Sequence, residues 1–191
     1  MTEPRHARRD RRGARKPASS PGEPRLEDVV QQAKDTCLRL LTVRPRTRLE
    51  LHQALLRKGI DEDVAEGVLG RLDEVGLVDD AAFAEVWVRS RHNFQGMGRR
   101  ALAMELRRKG VSDEESAEAL ATVDADAEEE RARQLVRKRL RSLTGDDETA
   151  KIRKLVGMLA RKGYAQGLCF RVVKDELRAA GEETDLLDER Y

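Results

Sequence analysis

The chain has 191 residues, of which 39 % are charged and 3 % aromatic, and carries a net charge of +2. That composition suits small helical units with narrow apolar faces and broad solvated ones. It offers no apolar run of about 18 residues, so no membrane span is expected. The basic amino terminus lacks the apolar segment of a secretory signal, and a cytoplasmic protein is expected. Cys37 and Cys169 show neither metal-ligand nor redox spacing and read as reduced, packed cysteines.

Residues 1–25 hold eight Arg or Lys against Glu3, Asp10 and Glu23, a local charge of +5, which leaves about −3 for the remaining body. Pro4, Pro17, Pro21 and Pro24 interrupt the segment and almost nothing in it is apolar. Such a segment cannot bury enough surface to fold alone. It reads as a disordered arm that either attracts phosphates or only solubilises the chain.

Repeat 1 spans 26–78. Leu26 to Val43 places Val29, Val30, Ala33, Cys37, Leu40 and Leu41 on one helical face, and Pro45 stops it. Thr47-Arg48-Leu49-Glu50 reads as a capping box for a second helix ending at Lys58-Gly59. Asp61 can cap a third, whose inner face is Val64, Val68, Leu69 and Leu72.

Repeat 2 spans 79–123. Asp79 and Asp80 sit where first-turn amides need acceptors. Phe83, Val86 and Trp87 then form one apolar stripe, and Arg89 and Arg91 close the helix. This helix, holding the only Trp, is expected to be a central core helix. After the turn at Gln95–Gly98 comes a helix over Arg99–Lys109, then the capping box Ser112-Asp113-Glu114-Glu115 and a helix to about Thr122. Repeat 3, 124–181, opens at Asp124 and passes from acidic to basic residues, as the helix dipole favours. Helices over about 148–162 and 166–180 complete it. Residues 182–191 form an acidic tail.

The middle helices of the three units are copies. Leu51…Leu55…Lys58-Gly59-Ile60 recurs as Leu102…Leu106…Lys109-Gly110-Val111 and as Leu155…Leu159…Lys162-Gly163-Tyr164. The glycines stand 51 and then 53 residues apart. A near-fixed period marks a repeat architecture. Each copy ends in a cation and a glycine free to adopt the left-handed closing conformation, with an apolar residue folding back. The expected fold is all-α: three tandem three-helix repeats stacked in an elongated, curved array.

Catalytic chemistry is not legible. The chain has no phosphate-cradling glycine loop, no pair of histidines at metal spacing and no Ser/His/Asp set. His6 lies in the arm, while His52 and His92 stand singly on helices and read as surface residues. No carboxylate stands in an apolar stretch that would raise its pKa. No cofactor or metal is expected. The cationic clusters remain as candidate contacts with phosphates or an acidic protein groove: Arg89, Arg91, Arg99, Arg100, Arg107, Arg108 and Lys109 in repeat 2, and Lys151, Arg153, Lys154, Arg161 and Lys162 in repeat 3. For any single one of them, a solvated helix face with intrahelical ion pairs is the simpler reading.

Gly76-Leu77-Val78-Asp79-Asp80, Phe83-Ala84, Trp87-Val88-Arg89-Ser90-Arg91, Gly98-Arg99-Arg100 and Glu105 to Val111, in this order and spacing, resemble the RecX regulatory proteins that modulate RecA. The resemblance covers about residues 26–185 and leaves the arm outside. It implies three tandem three-helix repeats and a monomeric, non-enzymatic regulator. Such a protein binds RecA and the groove of the RecA–DNA filament and inhibits its ATPase, strand-exchange and coprotease activities. Recombination, DNA repair and the SOS response would be modulated in consequence. It carries over no catalytic residues. The competing reading is an autonomous DNA-binding protein that uses residues 1–25 and the helical basic faces to compete for DNA.

Overall fold

The computed structural model describes residues 25–181. The arm, apart from Arg25, and the tail lie outside them. Nine helices occupy the described residues, and no strand occurs among them. They are α1 (Leu26–Val43), α2 (Arg48–Leu56), α3 (Glu62–Glu74), α4 (Asp80–Gln95), α5 (Arg99–Arg108), α6 (Asp113–Ala121), α7 (Ala125–Leu140), α8 (Glu148–Arg161) and α9 (Gln166–Ala179).

The repeated leucines drive each unit together. Leu51 and Leu55, Leu102 and Leu106, and Leu155 and Leu159 are all fully buried. The closing turns form alike. Gly59, Gly110 and Gly163 adopt φ of +77°, +81° and +86°. The next residue donates its N–H back five residues, from Ile60, Val111 and Tyr164 to Leu55, Leu106 and Leu159, at 3.2 Å each time. This is the Schellman closure that the Lys-Gly-apolar pattern encodes, and the three apolar residues are buried by it.

Each of the three units encloses a core of its own. The first gathers Leu51, Leu55, Val68 and Leu69. The second joins Phe83, Val88, Leu102 and Leu106. The third comprises Val136, Leu155, Leu159, Val172 and Leu177. Short Leu and Val side chains from three helices suffice to enclose a small apolar centre, so stacking is not needed to complete it.

The units meet through a repeated polar joint instead. At the first joint, Thr47 Oγ1 donates to Lys109 O at 2.6 Å, and Arg48 N donates to Asp80 Oδ1 at 2.8 Å. At the second, Gly98 N donates to Lys162 O at 2.8 Å, and Arg99 N donates to Glu128 Oε1 at 2.8 Å. In both, the Lys-Gly turn of the later unit sits on the start of the earlier unit's middle helix. An acid from the later unit's first helix then caps that start. Gly98 has no side chain to cap α5 itself, so Glu128 satisfies an otherwise orphaned donor.

The third unit differs at the start of its middle helix. Its α7–α8 connection is longer than the α4–α5 turn, and it buries Leu143 and pairs Asp146 with Lys154 at 2.7 Å. Asp147 caps α8 through Ala150 N, so the start of α8 is satisfied without a following unit.

Side chains depart from the sequence expectations at several points. Val86 is 57 % exposed. The inner positions of α4 are Phe83, Ala84 and Val88, because this face turns toward α6. His92 is buried, not superficial, with Nδ1 3.0 Å from Met97 O in the turn after α4. His52 is half-buried, 3.3 Å from Glu66. Thr47 caps α2 through Glu50 N, but Glu50 turns away from the box to meet Lys109 and Arg44. Asp79 caps its own helix at Ala82 N, whereas Asp80 caps α2. The charges of α7 do more than follow its dipole. Arg133 and Arg137 reach Glu176 of α9 at 3.3 and 2.8 Å, and Glu129 receives Arg133 and Arg171. Both cysteines are free and buried, and burial pushes their thiols up.

Candidate functional site

One side of α4 and the end of α5 carry a stack of aromatic and cationic groups, which starts at the buried Phe83 and runs outward. Phe83 and Trp87 lie one helical turn apart with ring centroids 5.4 Å from each other. Arg91, one further turn on, places its guanidinium 4.2 Å from the Trp87 centroid. From the end of α5, Lys109 brings its ammonium to 4.1 Å from the same ring. The indole N–H donates to Glu105 Oε2 at 2.8 Å, and Arg91 stands 3.5 Å from that oxygen. Trp87 is thus a half-buried ring that packs against the second core and is held between two cations.

Lys109 also reaches Glu50 Oε1 at 2.8 Å, so the stack is tied to the first joint. Burial alone would push the Glu50 carboxyl up. The hydrogen bonds and charges of Arg44 and Lys109 outweigh it and hold the group below the usual carboxylate range. Asp80, at the same joint, shifts the other way. Burial raises it, aided by Glu115 and Asp73, against the lowering effect of the Arg48 amide and charge. No apolar neighbours along the chain mark Asp80 as a raised carboxylate, because its partner, the Arg48 amide, lies 32 residues earlier.

The signs yield a prediction. A depressed Glu50 stabilises the fold above the unfolded carboxylate value of about 4.3, and this is lost as pH falls through the folded value. Glu50→Gln is expected to lose about 0.5–1 kcal/mol near neutral pH. The difference from the unsubstituted chain should vanish on acidification, as followed by urea midpoints across this range. A difference that stays constant with pH would contradict the assignment.

Beside the stack runs a groove of about 370 Å³ between the end of α1 and α4. Leu41, Pro45, Leu77, Phe83, Val86 and Trp87 line it, with Arg44 and Arg46 at its edge. Leu77 and Val86 are each at least half exposed. Sequence reading missed this groove. Its residues Val86 and Trp87 read, from sequence, as part of the apolar stripe of a core helix.

The predicted cationic residues divide by environment. Arg91 and Lys109 belong to the aromatic stack. Lys151 is 6 % exposed. Lys154 pairs with Asp146, and Lys162 donates to Gln95 O at 2.6 Å across the second joint. Arg108 is exposed, with Nε 3.3 Å from its own helix's Met104 O. Arg89, Arg99, Arg100, Arg107, Arg153 and Arg161 are exposed, and their side chains enter no ion pair among the described residues. Arg89 lines a second groove at the unit 2–unit 3 junction with Arg131 and Glu130. Arg100 and Arg108 on α5 stand 53 residues before Arg153 and Arg161 on α8, the same interval that separates Gly110 from Gly163. Consecutive units therefore present a like pair of cations in one register.

No group of three or more His, Cys, Asp or Glu among the described residues could hold a metal ion. No helix among them is long and apolar enough to cross a membrane.

The models of the first, second and third three-helix domains of RecX match residues 33–72, 79–120 and 126–173. The chain belongs to the RecX family. The regulatory protein RecX of Amycolatopsis mediterranei is 56 % identical over 169 residues, covering 88 % of this chain and 97 % of the relative. That of Streptomyces coelicolor is 51 % identical over 166 residues, covering 87 % and 88 %. The crystal structure of RecX from Lactobacillus salivarius shares the fold with a TM-score of 0.72, at 23 % identity over 78 % of this chain and 97 % of that one. A second RecX crystal structure gives a TM-score of 0.71 at 26 % identity, covering 79 % and 74 %. The three RecX domains coincide with the three cores, and family membership supports a general regulatory role.

Proposed function

We propose that this RecX-family chain binds RecA and the groove of the RecA–DNA filament and inhibits filament ATPase, strand exchange and coprotease activity. Recombination, DNA repair and the SOS response are modulated through that contact. The observation that carries the reading to a surface is the repeated cation pair, Arg100 and Arg108 followed by Arg153 and Arg161. A filament presents equivalent acidic or phosphate groups at regular intervals. A rigid array that offers equivalent cations at regular intervals can engage several at once. The Leu77–Val86 groove adds an apolar contact of the kind that gives a protein interface its desolvated centre. The binding is non-enzymatic and occurs from the cytoplasm as a monomer.

The test is RecA ATPase on preformed filaments, with this protein added well below one copy per RecA and at two salt concentrations. Mildly salt-sensitive inhibition is expected. The paired change Arg100→Glu with Arg153→Glu is expected to raise the concentration needed on the order of tenfold, about 1.4 kcal/mol. Inhibition only at amounts that coat the DNA, collapsing with salt, would instead mean competition for phosphates through residues 1–25 and the basic faces.

A further inference from the structure

The two joints repeat in plan but differ in what holds them. At the first, the bonds from Lys109 Nζ to Glu50 Oε1 and from Arg48 N to Asp80 Oδ1, each 2.8 Å, both end on a carboxylate. The Thr47 hydroxyl on the Lys109 carbonyl supplies a neutral contact. Lys109 and Glu50 are 17 % and 20 % exposed, open enough for salt to screen their attraction. The packing there sets Gly110 against a side chain, that of Leu49.

The second joint has a buried clasp that the first lacks. Tyr164 takes the place of Val111 in the repeat, and its hydroxyl donates to Gly96 O at 3.1 Å while the residue is buried. Val111 has no hydroxyl with which to reach unit 1. Backbone meets backbone through Gly98 N and Lys162 O, and Gly163 lies against the Ala101 main chain. Arg131 adds bonds to the carbonyls of His92 and Asn93 in the last turn of α4.

The groove beside Trp87 straddles the weaker joint. Leu41 and Pro45 on one wall belong to unit 1, and Phe83, Val86 and Trp87 on the other belong to α4 of unit 2. Lys109, which closes the joint on Glu50, also covers the Trp87 ring at 4.1 Å. One side chain thus ties the two units together and shields the indole.

We infer that the first joint is a hinge latched by Lys109 and Glu50, on which unit 1 swings and the Leu41–Trp87 groove widens, while units 2 and 3 move as one body. Opening of this kind draws on the least stable contacts of a structure. The Arg100–Arg108 and Arg153–Arg161 pairs lie in units 2 and 3, so they keep their register as the groove opens. The hinge is a property of the chain alone and stands whether or not the groove meets RecA.

Hydrogen exchange of the full chain, read amide by amide by NMR, tests it together with acrylamide quenching of Trp87, the only tryptophan. Salt is raised from about 0.1 M to about 1 M, which cuts the screening length from about 10 Å to about 3 Å. Exchange at the Arg48 amide, which Asp80 holds across the first joint, is expected to rise roughly two- to fivefold relative to exposed amides. Exchange at the Gly98 amide, which Lys162 O holds across the second, is expected to stay constant. Trp87 quenching should rise with the first and not the second. Lys109→Met keeps an alkyl stem near the ring and removes the charge. It is expected to give the high-salt values at low salt and to lose most of the salt response. An equal salt response at Arg48 and Gly98, or none at either, would overturn the inference. Increased quenching with an unchanged Arg48 amide would mean that the Lys109 side chain lets go while the joint stays shut, which also rules out the hinge. So would a Lys109→Met chain that behaves as the unsubstituted one.

Discussion

Gly163→Ala is expected to cost roughly 2–5 kcal/mol, and Gly59→Ala only about 1–2 kcal/mol, although the two glycines do the same local work. Both close a middle helix with positive φ, so both variants incur the left-handed penalty of a side chain. A Cβ on Gly59 meets nothing within 4 Å. One on Gly163 falls 2.3 Å from Ala101 Cβ and 2.4 Å from Ala101 N. The neighbour there is the backbone of unit 2, which cannot swing aside as a side-chain tip can. Gly163 itself already crowds Gly98, where an added Cβ would stand 2.8 Å from the Gly163 carbonyl carbon. The second joint must therefore open or strain. Urea unfolding of the two variants side by side gives the difference. Equal losses would show that the joint is loose enough to absorb a methyl group and that the units are coupled less tightly than these contacts indicate.

Leu102→Ala is expected to remove about 2–5 kcal/mol, the range for a fully buried leucine whose cavity cannot collapse. The equivalent Leu51→Ala should cost about as much locally, with a different reach. The three cores are separate, so stability behaves as a sum of unit terms and nearest-neighbour joints. Loosening unit 2 weakens both joints, since Asp80 and the Lys109 carbonyl serve one and Gly98 with Arg99 the other. Loosening unit 1 touches a single joint. Hydrogen exchange is expected to rise in all three units for Leu102→Ala and to stay unchanged in α7–α9 for Leu51→Ala. Equal spread from both variants would mean that the array unfolds as one cooperative body.

The helices themselves were legible in the chain because their signals are local. The Leu…Leu…Lys-Gly-apolar copies specify a buried stripe and a left-handed stop within a dozen residues, and α2, α5 and α8 follow them. Ser112 with Glu115 forms a reciprocal capping box as its spacing implies. Thr47 with Glu50 has the same spacing and forms half of one, because Lys109, 59 residues away, competes for the carboxylate. Trp87 shows the same limit. Its place in a helical stripe was correct, but its cation-flanked, half-buried setting depends on Lys109 arriving from another helix. Of the twelve cations singled out by charge, sequence could not separate Lys151, which is buried, from Arg153, which is exposed two residues later.

By itself the sequence determined the helical class, the threefold repeat, the closing glycines and the family. Each of these rests on periodicity and short-range hydrogen bonding, which act between residues a few positions apart. Only the tertiary structure decided which acids cap which helices, which cations remain free, and that a groove opens beside Val86. Those outcomes depend on groups 30 to 70 residues apart meeting at the joints, where burial and competition for partners, not propensity, set the result.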